Sequence, residues 1–368
     1  MPRPSVSPLL LHNFPENGVK FLLQNPGNLQ DLLRLLRRQH PTLPDPRNFH
    51  CGRRTIEPET LIRSDFSHGL TDLLIRLPFK EGTDSEWVKV YLLVEHLSAH
   101  QTHIVPRALG YMMDVYRLQE RRWREGEQPL DGMRYEPVLP VVIYTGERPW
   151  RSPTPFHEMV ACGRAFAEFI PSIMPLFLSL PSQSAADLTR EGGALGTVLQ
   201  VLKERNANKS RFFDLLLGAS RKVTDALDER AHRTRELLAY LTALMYHFRT
   251  EQERAELGRH FLQTIRSAPL RREIQAMGQT IAESLREQGK LEGRLEGKLE
   301  GKLEGKLEGK LEGKQESLAV MLRRKFGPAV TPGIEAIILK TTDSVRLDTW
   351  LQNILEAKTL KDVGISGK

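Results

Sequence analysis

Cysteine is scarce in this chain. Its 368 residues include two, Cys51 and Cys162, with no CxxC pairing and no framework spacing. That excludes a disulfide-stapled fold and fits a reducing, cytoplasmic setting. Long apolar runs are also missing. Nothing approaches the roughly 18 consecutive apolar residues that a membrane span needs. Between Met1 and Phe14 only Leu9-Leu10-Leu11 is apolar in a row, with prolines close before it, so no secretory core is expected. There is no Walker loop, no GxGxxG opening a helix and no GxSxG elbow. ATP-driven, dinucleotide-dependent and serine-hydrolase chemistry therefore lack their usual signatures. Gly192-Gly193-Ala194-Leu195-Gly196 is glycine-rich, but no strand leads into it, and it reads as a helix-breaking turn.

What is present is globular. Apolar residues make up 40% of the chain and charged residues 27%, ordinary values for a folded soluble protein of more than one domain. The net charge is +7 and the pI about 9.4, which favours a polyanionic partner such as nucleic acid.

Glu16 to Arg38 reads as helix in two pieces broken at Pro26-Gly27, and Pro44 to Asp65 as a connection. Two strand-like runs follow, Thr71 to Leu77 and Val88 to Glu95, separated by a polar turn segment from Lys80 to Glu86. Pro106 opens a helix to about Arg124. Val138 to Tyr144 is a continuous apolar strand, although Pro140 argues against full pairing in a sheet centre. Helix is expected at Gly163 to Phe169 and a strand at Ile173 to Leu180. Beyond Pro181 the periodicity is helical: Ala194 to Glu204, Arg211 to Lys222, Asp225 to Phe248, Glu251 to Ser267, and Leu270 to Leu285 after Pro269.

Lys290 to Gly313 is six tetrapeptides of the form Lys/Arg-Leu-Glu-Gly. A period of four drifts by roughly 40° per repeat on an α-helix, so the leucines form a winding stripe. Like charges fall at i,i+4, and each glycine costs about 1 kcal/mol relative to alanine. The segment is expected to be a marginal helix alone, stabilised by self-association into a homo-oligomer. A small helical block closes the chain, with helix expected from Val345 to Leu355 and a last segment at Leu360 to Val363. The division is thus 10–182, 183–286, 287–316 and 317–368.

Asp72 and Glu95 are the candidates for chemistry. Each is a lone carboxylate in, or at the end of, an apolar run, and a hairpin can bring both to one sheet edge. A carboxylate there stays ionised only if water, a partner or a metal meets it. Paired carboxylates suit Mg²⁺; the same spacing also fits an ordinary ion pair. Arg107 and Tyr111 lie one turn apart on a helix and share a face. Arg107 can hold a phosphate or face solvent, and Tyr111 can bond a carboxylate or fill the core. Arg117, Arg121, Arg122 and Arg124 crowd one helix end, either as a phosphate patch or as a solvated terminus. His96, His100 and His103 straddle a strand end and a loop, which favours solvated or DNA-facing roles over zinc.

Several stretches resemble the Rpn family of recombination-promoting nucleases, also labelled YhgA-like transposases, within the PD-(D/E)XK nuclease superfamily. Pro15 to Leu23 is similar to the family's opening helix, with Glu16 at its acidic position. Thr60-Leu61-Ile62 and Thr71-Asp72-Leu73-Leu74 resemble its Ser-Asp-Leu-Leu strand and the approach to it. Leu92-Leu93-Val94-Glu95-His96 resembles its Leu-Leu-x-Glu-His step, and Arg107 to Met112 its Arg-Leu-Leu-x-Tyr-Met helix. Leu139 to Tyr144 with Gly146-Glu147-Arg148-Pro149-Trp150 is close to its last strand and turn.

The resemblance implies an α/β fold, with a restriction-endonuclease-like mixed sheet flanked by helices. A helical region, the repeat and a helical C-terminal block follow it. It also implies Mg²⁺-dependent cleavage of DNA in recombination, transposition-like processes or defence against foreign DNA. Asp72 and Glu95, with Glu16 and the His96 carbonyl, would hold the metal. Arg107 and Tyr111 would complete the catalytic set, and Arg107, Arg117, Arg121 and Arg122 would contact DNA. One position departs: the superfamily's Lys, or Gln in this family, two residues after the glutamate is Leu97 here. Either His96, Gln101 or Arg107 substitutes, or the chain is a catalytically impaired DNA-binding, oligomerising protein.

Overall fold

A computed structural model describes residues 7–11, 14, 16–57, 60–62, 68–70, 73–81, 87–126 and 129–365. The chain divides into two compact units, Met1–Leu285 and Arg286–Lys368.

The first unit opens with α1 (Pro8–Leu11), α2 (Glu16–Leu23) and α3 (Pro26–Gln39). Pro26 and Gly27 begin α3 rather than merely end α2. Asn25 caps the helix, its side chain accepting the Gly27 N–H at 2.9 Å, and proline fits the first turn, where no donor is needed. Strand β1 (Thr55–Glu57) follows, then a small ladder of β2 (Thr60–Ile62) and β3 (His68–Leu70), both within or near the stretch expected to be a connection. The hairpin strands are β4 (Leu73–Phe79) and β5 (Val88–Leu97), and helix α4 (Ile104–Glu125) leads to β6 (Val138–Tyr144) and then to β7 (Leu176–Ser179).

The main sheet has the order β1-β4-β5-β6-β7. It is antiparallel from β1 to β5 and parallel from β5 to β7. The expected α/β class with a mixed sheet is what forms, and α4 is the crossover between parallel β5 and β6.

Pro140 does sit in a central strand, opposite Leu93 of β5. Tyr91 N–H donates to the Pro137 carbonyl and Thr145 N–H to the Leu97 carbonyl, so odd-numbered residues of β6 bond to β5. Pro140 faces the other side, where the described ladder to β7 starts only at Val141. The missing N–H is therefore tolerated.

Residues Gly163 to Phe169 depart from the expected helix and form short turns. Gly163 N–H closes on the Val160 carbonyl at 2.9 Å, Cys162 has a φ of 56°, and a Cβ on Gly163 would lie 1.8 Å from the His157 carbonyl oxygen.

Helices α5 (Ala185–Glu191), α6 (Gly193–Lys203), α7 (Lys209–Ala226), α8 (His232–Phe248) and α9 (Glu251–Gln263) follow. The single helix expected from Asp225 to Phe248 is broken, because Asp228 makes a turn of its own: its carboxylate accepts the Arg230 N–H at 2.9 Å and its carbonyl the Thr234 hydroxyl at 2.6 Å. The Gly192-Gly193 turn joins α5 to α6. Gly193 has a φ of +51°, and the buried Asp31 carboxylate lies against it, accepting the Leu195 N–H at 3.2 Å. Arg233 of α8 binds the same carboxylate. One hydrophobic core runs from α2 and α3, through one face of the sheet, into α6, α8 and α9, and takes in Leu270, Ile274, Met277 and Ile281.

Helix α10 spans Ala268–Phe326. Pro269 falls in its first turn, where it does not interrupt, so the repeat is continuous helix. In the second unit Leu318 and Leu322 of α10 pack with Ile334 and Ile338 of α11 (Pro332–Lys340). Leu347, Trp350 and Ile354 of α12 (Ser344–Glu356) and Val363 of α13 (Leu360–Val363) complete that core. The sequence reading anticipated α12 and α13 but neither α5 nor α11. Among the described residues no helix is long and apolar enough to cross a membrane.

Candidate active site

Side chains alternate along β5. Val90, Leu92 and Val94 join the core shared with α3 and α6. Tyr91 and Leu93 pack with Leu74, Val115 and Val138 beneath α4, and Leu97 packs with Ile104, Val105, Val142, Tyr144, Trp150 and Phe177. Glu95 falls between those last two apolar clusters, on the α4 side, and is 4% exposed. A carboxylate so placed needs a partner. Arg107, in the first turn of α4, supplies one: its Nη2 donates to Glu95 Oε2 at 2.9 Å, and its Nη1 to Gln101 Oε1 at 2.7 Å. Its buried Nε has no hydrogen-bond partner among the described residues.

His96 points to the opposite face, with Nε2 2.8 Å from Thr145 Oγ1. The backbone bonds at Tyr91 and Leu97 turn odd-numbered residues of β5 toward β6, so the His96 carbonyl is directed to the β4 side. Asp72 lies outside the described residues. It precedes Leu73, and Leu73 pairs with Val94, the residue before Glu95. Glu16 opens α2; its side chain also lies outside what is described. Among the described residues no three His, Cys, Asp or Glu side chains gather to hold a metal ion. The Glu95 carboxylate and the His96 carbonyl are nonetheless oxygen donors of the kind a hard divalent cation takes. His100 lies against Trp150 with the rings tilted and their centroids 4.4 Å apart, and His103 precedes α4 exposed to solvent, while His96 is buried. The three histidines do not form a zinc cluster.

Tyr111 is half-buried against the Leu74–Tyr91–Leu93 cluster. Arg117 pairs with Asp114 at 3.1 Å and Arg121 is exposed. Arg122 holds the buried Glu57 carboxylate through both terminal nitrogens, at 3.2 and 2.7 Å, and contacts the Tyr91 hydroxyl at 3.3 Å. Hydrogen bonding to Glu57 raises the Arg122 pKa further, so its charge is fixed. Burial raises the pKa of Tyr91. Arg122 thus ties edge strand β1 to α4, a partnership no sequence spacing signals. Arg117, Arg121 and Arg124 remain toward solvent, interleaved with Glu120 and Glu125.

Leu97 is 3% exposed and forms part of the core. Of the three candidate substitutes, Arg107 bonds Glu95, Gln101 bonds Arg107, and the His96 side chain points to the opposite face.

These elements define an α/β protein with a buried carboxylate–guanidinium pair at the end of a central strand. Residues 41–203 match the family described as "Putative transposase, YhgA-like", so the motif resemblance holds across that stretch. The chain matches no curated protein and no solved structure.

Proposed function

We propose that the chain is a metal-dependent DNA endonuclease of the PD-(D/E)XK type, acting in recombination, transposition-like processes or defence against foreign DNA. The observation that carries this reading is the Glu95–Arg107–Gln101 constellation at the end of β5, within the segment that matches the transposase-like family. Glu95, Asp72 and the His96 carbonyl, with Glu16, are the residues to hold Mg²⁺. Such a cation supplies Lewis acidity, activating water and offsetting charge on the leaving oxygen. Arg107 orients the Glu95 carboxylate and, through its spare Nε–H, offers a donor where Leu97 offers none. Gln101 fixes the guanidinium, and Arg117 and Arg121 contact the DNA backbone.

A second reading is favoured by Leu97 itself. A core leucine at the superfamily's lysine position fits a chain that binds DNA with cleavage impaired. The two readings separate on cleavage: the impaired chain cuts in neither Mg²⁺ nor Mn²⁺ and gains cleavage with Leu97→Gln, while cation binding tests the metal site itself. Mn²⁺ titrated into the protein and followed by electron paramagnetic resonance should bind, and Glu95→Gln and Asp72→Asn should each weaken it at least tenfold. No bound Mn²⁺ in the parent protein would leave the impaired reading standing. We further propose that the repeat helix mediates homo-oligomerisation, since Leu291, Leu295, Leu299, Leu303 and Leu307 are 57–64% exposed.

A further inference from the structure

The parallel strands β6 and β7 end at a cavity of about 390 Å³ lined by Thr145, Glu147, Leu180, Lys203, Arg205 and Asn206, among others. The mouths of parallel strands are where ligands of α/β folds settle. The charges around this cavity are unevenly committed. Both acids of the lining have partners: Glu204 accepts from Arg211 at 2.9 Å, and Glu147 from the Asn206 amide at 2.6 Å. Neither cation has a carboxylate partner among the described residues. Lys203 Nζ donates to the Gln183 carbonyl at 2.5 Å, and Arg205 Nη1 to the Leu202 carbonyl at 3.2 Å.

Both cations sit at the carbonyl end of α6, whose dipole offsets part of their charge. A third cation adds to it from behind: Arg249 donates to the Arg205 carbonyl at 2.5 Å and is itself largely buried. Burial depresses the Arg249 pKa, and the nearby Glu253 carboxylate opposes it only in part. Glu204 is neutralised by Arg211, while Glu147 is bonded only by a neutral amide. Two half-buried cations thus face one remaining carboxylate and the cavity is left net positive, which suits an anion.

We propose that this cavity is a phosphate subsite, taking the phosphate of a nucleotide or of a nucleic-acid backbone on Lys203 and Arg205. It meets the end of β5, on the face opposite the Glu95 side chain, through Thr145, whose hydroxyl bonds His96 Nε2 and whose N–H donates to the Leu97 carbonyl. The assignment to a DNA backbone rests on the nuclease reading; the anion site itself does not.

The test is calorimetric titration of the full chain with inorganic phosphate, thymidine 5′-monophosphate, thymidine and a short DNA duplex. The monophosphate should bind where thymidine does not, and inorganic phosphate should compete with it. Lys203→Gln and Arg205→Gln should each weaken the monophosphate at least fivefold, with Lys203→Arg retaining it. Glu147→Gln, which removes a negative charge at the mouth, should tighten it several-fold, a gain that misfolding cannot imitate.

Failure of every phosphate compound to bind overturns the proposal, as does affinity unmoved by Lys203→Gln, Arg205→Gln and Glu147→Gln. Monophosphate binding without duplex binding assigns the site to free nucleotides, and duplex binding lost in the cation variants assigns it to the backbone. Monophosphate binding in a protein that takes up no Mn²⁺ keeps this site and removes the nuclease reading. Mn²⁺ uptake without phosphate binding does the reverse.

Discussion

At the scale of single residues, burial decides what each candidate can do. Glu95 was legible in the sequence as a lone carboxylate closing an apolar run, and its burial follows from β5 being central. Its partner was legible only as one of several cations, because nothing in the spacing of Arg107, Gln101 and Glu95 sets a helix turn above a strand end. Removing Arg107 takes its guanidinium partner from a buried carboxylate. Since Arg107 is itself partly exposed, Arg107→Ala should cost toward the low end of about 3–5 kcal/mol, read as a shift in urea midpoint, with Glu95→Gln in the same background recovering part of it. No recovery would mean that the pair is not what stabilises the strand end.

His247 gives a pH signature. It stacks on Phe14 at 4.5 Å and its Nε2 lies 3.1 Å from the Leu10 carbonyl, and burial holds its pKa below the ordinary 6.5. The unfolded chain therefore binds the proton first. Stability is full above pH 6.5 and falls as pH drops below it toward the depressed folded value. Urea midpoints at pH 7.5 and 5.5 should differ less in His247→Gln than in the parent; an unchanged difference would place the titration elsewhere.

Among the elements, those with a strong period were legible and those made by capping were not. The β4–β5 hairpin and β6 follow from apolar runs bounded by polar turn segments, and α4 from helical spacing. Helix α5 was missed: it is seven residues long and depends on Ser184 accepting the Asp187 N–H at 3.0 Å. The Asp228 turn split an expected long helix through a local side-chain bond that hydrophobic period does not register. Pro140 misled because a proline in a parallel strand costs nothing where one neighbour has not yet begun.

The repeat is helix throughout, with its first five leucines outward and Leu311 packed on the C-terminal core. A stripe of that kind with glycine at every fourth position stabilises little alone. Sedimentation velocity of a chain lacking residues 290–313 should show a smaller oligomer than the parent. The same oligomer in both would remove the self-association role.

At the scale of the whole molecule, the sheet that carries Glu95 and the helices from α6 to α9 share one core. Asp31, Arg233 and the Gly193 turn tie α3 to α6 and α8 across long stretches of chain. That network was invisible in the sequence, where Asp31 reads as an ordinary helix residue. The family-matched segment ends at residue 203, inside this unit, so its sheet shares a core with helices that lie beyond the matched stretch. The C-terminal unit has its own core. The central claim is that the end of β5 at Glu95 does chemistry on DNA. Supercoiled plasmid incubated with purified full-length protein, with Mg²⁺ or EDTA, measures that most directly. Nicking that requires the cation and disappears in Glu95→Gln and Asp72→Asn, at unchanged far-ultraviolet dichroism, is the result expected. Nicking that survives in both variants, or none in the parent with either Mg²⁺ or Mn²⁺, would contradict it.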